Sequence, residues 1–142
     1  MNDLARDPAL ESLPVRLAAL GHRTVLYIDD NAANRRLVER VFERRPDLEL
    51  ITASRGSPGL DLAYDYQPNL VLLDLSLPDI DGYEVLRRLR ADPRTNAIPV
   101  IVVSADADQR TIQRLLETGA VAYLTNPIDV HNLIATVDQL TT

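Results

Sequence analysis

The sequence predicts a doubly wound α/β domain, because short apolar runs alternate from Thr24 onward with segments whose apolar residues recur at helical spacing. A second observation agrees: the first, third and fourth runs are apolar on both faces, as parallel strands covered by helices on either side require. The third is punctuation, with Gly or Asp where helices should end and begin. Five β-α units with right-handed crossovers result.

The first strand is Val25-Leu26-Tyr27-Ile28. In the helix after it, Leu37, Val38, Val41 and Phe42 share one face, while Arg35, Arg36, Arg40, Glu43 and Arg44 fall largely on the other. Leu48 to Thr52 forms the second strand, at an edge of the sheet, since Glu49 interrupts its apolar run. The second helix, Ser57 to Tyr64, is the weakest: Ser57-Pro58 offers an N-cap and a first-turn proline, but Gly56 and Gly59 blur its start. Leu70 to Leu73 is the third strand, and Val85, Leu86 and Leu89 line a helix after Gly82. Val100 to Val103 is the fourth strand, followed by a helix carrying Ile112, Leu115 and Leu116 and closed by Gly119. Val121 to Leu124 is the fifth, and Asp129 caps a last helix with Leu133, Ile134 and Val137 inward.

The 142 residues fit one domain. Residues 1–22, polar and proline-punctuated before a short Leu13–Gly21 helical turn, are expected to form an extension or linker, the alternative being a docking or dimerisation helix, and 23–142 the domain. The absence of cysteine excludes disulfides, thiolate metal sites and a cysteine nucleophile. A net charge of −6 argues against nucleic acid or anionic membrane as a partner. No apolar run approaches the roughly 20 residues that span a bilayer, so a cytoplasmic chain is expected. All 15 Lys-plus-Arg residues are Arg, so lysine chemistry is excluded.

Sites in such sheets lie beyond the carboxyl ends of the strands. That rule selects Asp29 and Asp30 after the first strand, Asp74 after the third, Ser104 after the fourth, and Asn126-Pro127 after the fifth. Three carboxylates on two neighbouring strands repel one another unless a cation intervenes. Mg²⁺, with its preference for carboxylate, water and phosphate oxygens, suits such a set, and a carboxylate beside it can attack phosphorus to become an aspartyl phosphate. Asp79 and Asp81 read as turn formers before Gly82, and His22 and His131 as solvent-facing. The arginines at 35, 36, 40, 44 and 45 form either a solvated helix face or a guide for an acidic partner; Arg87, Arg88 and Arg90 read as a solvated face.

With these residues in hand the chain resembles the receiver domains of two-component response regulators, over about Arg23 to Leu140. The resemblance rests on Val25-Leu26-Tyr27-Ile28-Asp29-Asp30-Asn31, on Leu72-Leu73-Asp74-Leu75-Ser76-Leu77-Pro78-Asp79-Ile80-Asp81-Gly82, on Val103-Ser104-Ala105 and on Tyr123-Leu124-Thr125-Asn126-Pro127. The separations are 45 residues from Asp29 to Asp74, 30 to Ser104 and 22 more to Asn126. It implies a flavodoxin-like fold with strand order 2-1-3-4-5, similar to receivers of hybrid histidine kinases.

The resemblance also implies roles. Asp74 would accept a phosphoryl group from a phosphohistidine on a histidine kinase or histidine phosphotransfer protein. Asp30 would ligate Mg²⁺ directly, Asp29 directly or through water, with Asp74 and the Ser76 backbone carbonyl as further ligands. Ser104 would hydrogen-bond the attached phosphoryl group, unless it is a simple turn hydroxyl. Tyr123 is either a rotameric switch aromatic or a static strand residue. A cis peptide bond would precede Pro127. An output protein, or a second copy of the chain, would dock on residues 108–140, and the module would be a switch without enzymatic turnover. Ending at Thr142 with no room for an output domain, the chain would act alone or as a fragment of a longer protein.

One position departs from the family pattern: Asn126 stands where receivers usually carry lysine. An amide donates hydrogen bonds but brings no charge. Either switching is weakened or rewired while Asp74 still accepts phosphorus, or the chain is a phosphorylation-independent pseudo-receiver. A Mg²⁺-dependent phosphatase is disfavoured, because Ser76 occupies the position where such enzymes place a second Asp.

Overall fold

In the first strand, β1 (Arg23–Ile28), side chains alternate between two faces, and both faces are covered: Val25 and Tyr27 enter one apolar cluster, Leu26 and Ile28 the other, each fully buried. The computed structural model describes residues 22–105 and 108–142. The extension expected for residues 1–22, with its short helical turn, therefore lies outside the described residues except for His22.

The remaining strands are β2 (Leu48–Ala53), β3 (Leu70–Asp74), β4 (Val100–Ser104) and β5 (Ala122–Thr125). All pairs are parallel, in the order β2-β1-β3-β4-β5. The flavodoxin-like order and the edge position of the Glu49 strand hold. Helices α1 (Ala32–Glu43) and α5 (Val130–Thr141) cover the Tyr27 face through Val38, Phe42, Leu133 and Val137. Helices α2 (Gly56–Tyr66), α3 (Gly82–Ala91) and α4 (Gln109–Thr118) cover the other through Leu60, Ala63, Val85, Leu86, Leu89 and Leu115. Burial of each Leu or Val contributes about 1.5–3 kcal/mol, so these two clusters dominate over any single cap. Leu37 and Leu116 are the exceptions to the expected inner faces, being 40% and 50% exposed.

Most caps are local. Asn31, Asp81, Asp108 and Asp129 accept hydrogen bonds from first-turn N–H groups of α1, α3, α4 and α5, and Gly119 closes α4 at φ 117°. The Ser57 cap expected for α2 is not formed. The helix starts a residue earlier, and its first N–H groups, Gly56 and Ser57, donate to Asp79 Oδ1 and Oδ2 at 2.8 and 2.9 Å from the β3–α3 loop. Those N–H bonds, Ser57 foremost, hold the Asp79 carboxyl below its usual range. An added Cβ would press on the Val85 side chain at residue 56 and on the Ile28 side chain at residue 59.

Two expected solvent-facing sets also change. His22 is half-buried and its Nδ1 has no hydrogen-bond partner among the described residues, whereas His131 is exposed. Arg90 is half-buried and donates to the carbonyls of Asn96 and Ile98, while Arg87 and Arg88 stay exposed beside Glu84.

At the amino ends of the strands Arg23 bonds Asp47, Asp138 and Thr141, and Arg45 bonds Asp47 and Asp138 at 2.8–3.0 Å. Arg45 first, then Arg23, holds both carboxyls below their usual range. Depressed acids stabilise above their unfolded pKa and lose that contribution as pH falls through the folded one. Because both aspartates are about 40% exposed, solvent screens much of the gain. Asp138→Asn is expected to cost about 0.5–1 kcal/mol in thermal unfolding at pH 7 and progressively less in strong acid, as the depressed carboxyl takes up its proton. An equal cost at pH 7 and in strong acid would contradict the assignment.

Candidate functional site

The register brings the acidic residues together. Ile28 pairs with Leu73, so the next residues, Asp29 and Asp74, lie side by side where β1 and β3 end. Oxygen atoms of Asp29, Asp30 and Asp74 lie within 4.8 Å of one another. Asp29 is fully buried, Asp74 6% exposed and Asp30 open to solvent.

The donors that reach the two buried carboxylates are neutral. Asp29 Oδ1 accepts from the Asn31 N–H at 2.8 Å, and Oδ2 from the Tyr27 hydroxyl at 2.5 Å and Asn34 Nδ2 at 3.1 Å. Arg35 reaches the same turn but donates to the Asp29 backbone carbonyl, at 2.7 Å. Asp74 Oδ1 accepts from the Ser76 N–H at 3.1 Å. Burial pushes Asp74 up to about 6, against the pull of that N–H, and the adjoining charges of Asp29 and Asp30 push the same way. Burial and the bond to Asp29 likewise raise the Tyr27 phenol, so it stays a protonated donor.

This chemistry fits a hard divalent ion. Three carboxylates offer only oxygen, two are buried with no cationic donor among the described residues, and the charges of Asp29 and Asp30 add to burial in raising Asp74, negative charge that a dication offsets.

The other residues singled out from the sequence cluster around the end of β4. Ser104 is buried and ends that strand; its carbonyl accepts from the Asn126 N–H at 3.0 Å and the Tyr123 hydroxyl at 3.2 Å. The Asn126–Pro127 peptide bond is cis. At Ser76 the group touching the acidic cluster is the N–H. Tyr27 and Asn34 were not singled out, and Arg35 only as part of a helix-face arginine cluster, whereas it is half-buried against the Asp29 carbonyl. Tyr27 lay inside an apolar run, although a two-residue spacing on a strand puts it on the Asp29 face. Asn34 and Arg35 sit on α1's first turns, directly above it.

The model of the response regulator receiver domain matches residues 25–138. The chain is 35% identical over 115 residues to the polar-differentiation response regulator DivK of Brucella anthropi, covering 81% of this chain and 93% of that one. Among solved structures it resembles the receiver domain of the Francisella response regulator 1452, at TM-score 0.76 and 28% identity over 84% of this chain and 97% of that one. It shares the fold of the chemotaxis response regulator CheY4 of Vibrio cholerae, at TM-score 0.78 and 21% identity over 84% and 98% of the two chains.

Proposed function

The chain belongs to the response regulator receiver domains, signalling modules of two-component systems, and from that premise we propose that it takes a phosphoryl group on Asp74. The observation that carries this reading is the gathering of Asp29, Asp30 and Asp74 within 4.8 Å at the ends of β1 and β3. Asp30, Asp29, Asp74 and the Ser76 carbonyl would hold Mg²⁺, which when bound supplies positive charge against the carboxylates and the phosphoryl oxygens.

The chain's own groups do the rest. An Asp74 carboxylate oxygen attacks the phosphorus of a phosphohistidine on a histidine kinase or phosphotransfer protein. The new O–P bond forms as the P–N bond breaks, and its electron pair leaves with the partner's imidazole. The Ser76 N–H, already on Oδ1, keeps the carboxylate oriented, and the Ser104 hydroxyl donates to the attached phosphoryl group. Tyr123, tied to the Ser104 carbonyl, moves with it and alters the 108–140 surface, where the exposed Leu116 and Val121 suit an output protein or a second copy of the chain. Exposed Arg36 and Arg40 on α1, with Arg44 just after it, suit the approach of an acidic partner. No described helix is long and apolar enough to cross a membrane, which fits action in the cytoplasm.

The test is incubation with Mg²⁺ and a small phosphodonor, read by intact mass. Wild type should gain one phosphoryl group. Asn126 favours a second reading, a pseudo-receiver that signals unmodified, and a wild type that never gains mass would decide for it. Asn126→Lys is expected to speed phosphoryl uptake about 2–10-fold, or about 0.4–1.4 kcal/mol, and to enlarge the spectral change induced by a beryllofluoride mimic. Identical rates and changes in both proteins would dismiss a coupling role for position 126.

A further inference from the structure

We propose that Tyr27 is a positioning residue that fixes the Asp29 carboxylate for the divalent ion, an inference resting on the metal-binding reading above. The argument begins with burial. Asp29 has no exposure to solvent, and a buried carboxylate is costly unless its lone pairs are satisfied. In a chain without lysine, no side-chain ammonium can perform this task, and among the described residues the three donors on Asp29 are a backbone N–H, an amide and a phenol.

Their distribution is asymmetric. Oδ2 carries both side-chain donors, Tyr27 at 2.5 Å and Asn34 at 3.1 Å, while Oδ1 carries one backbone donor. Spare acceptor capacity is therefore greater on Oδ1, and the carboxylate is held against rotation. Tyr27 is itself immobile. Its ring is fully buried on the α1/α5 face, packed with Val38, Leu72 and Val103, and neighbouring strands pin its backbone through pairing with Thr52 and Leu72. A rigid aromatic on a central strand is a firmer anchor than a long side chain from a loop.

A plain core tyrosine would also seek a hydroxyl partner, and removing its oxygen would then affect stability alone. A group that orients a ligand changes metal affinity, typically about 10–100-fold for the outer-shell partner of a tightly bound ion. For Mg²⁺, which keeps several waters and takes only one or two carboxylates, the lower end applies.

The test is calorimetric titration of MgCl₂ into full-length wild type, Tyr27→Phe, Asp29→Asn and the double variant, each checked for cooperative melting. Tyr27→Phe should weaken Mg²⁺ binding about 5–20-fold, and in the Asp29→Asn background the same change should add less than about twofold. Affinity unchanged or raised in Tyr27→Phe, or an equal loss in both backgrounds, overturns the role of Tyr27 while leaving the metal site intact. Wild type failing to bind Mg²⁺ overturns both. Should Tyr27→Phe not fold, wild type labelled with 3-fluorotyrosine supplies the readout: Mg²⁺ must shift a ¹⁹F resonance, and Asp29→Asn must abolish that shift. A spectrum that Mg²⁺ leaves unmoved, or a shift that persists in Asp29→Asn, overturns the assignment.

Discussion

Asp74→Asn is expected to abolish phosphoryl uptake and, in the same protein, to raise the melting temperature of the metal-free domain. The first effect follows from chemistry: an amide oxygen is a poor nucleophile towards phosphorus, and no other buried carboxylate ends β3. The second follows from the crowding of three acids within 4.8 Å. In the unfolded chain Asp74 is hydrated and far from Asp29 and Asp30, so the folded state alone bears its repulsion with them. Asparagine has nearly the same shape, carries no charge and offers a donor to Asp29. A gain of about 1–2 kcal/mol should result at pH 7, with a smaller stabilising response to Mg²⁺ than wild type shows. Phosphoryl uptake by the variant would place the acceptor elsewhere. A less stable variant would mean that the carboxylate is better satisfied than its neighbours suggest.

Gly82→Ala should be the most damaging small substitution near the site. A Cβ at residue 82 would lie 2.6 Å from Leu75 Cα and 3.0 Å from the Leu75 carbonyl oxygen, both backbone atoms of the β3–α3 loop. The Gly82 N–H also donates to that carbonyl at 3.3 Å, so the two chain segments must stay close. With no flexible side chain to yield alone, either α3 shifts or the loop opens, at a cost of about 2–4 kcal/mol. Leu75 adjoins Asp74, so uptake of phosphorus should fall with stability. By contrast, Gly59 faces only the Ile28 side chain, and Gly59→Ala should leave the acidic cluster in place. Chemical denaturation alongside the mass assay separates these outcomes; a Gly82→Ala protein as stable as wild type would refute the steric argument.

What the sequence made legible was governed by periodicity and by chain-end rules. Asp29, Asp74 and Ser104 could be found because apolar runs announce strands and sites lie beyond their ends. Gly119 and Asp129 could be found because caps act within a few residues of themselves. Asp79 could not, since it caps a helix 23 positions earlier and nothing local marks that reach. The same holds for Arg45 and Asp138, 93 residues apart yet bonded. Tyr27 was hidden differently: in an apolar run a tyrosine reads as bulk, and only the neighbouring strands reveal that its oxygen faces a carboxylate. Leu37 and Leu116 show the converse limit, because helical spacing marks an apolar stripe without saying how much of it the sheet is wide enough to cover.

The clamp of Arg23 and Arg45 on Asp47 and Asp138 has a mechanical consequence. Arg23 also bonds Thr141, so the beginning of the sheet and the last turn of α5 are fastened at one pole, with the acidic cluster at the other end of β1. Tension applied between residues 22 and 142 would be borne by this fastening before it reached the strands. Sequences grafted at either position should therefore leave the chemistry at the far rim undisturbed.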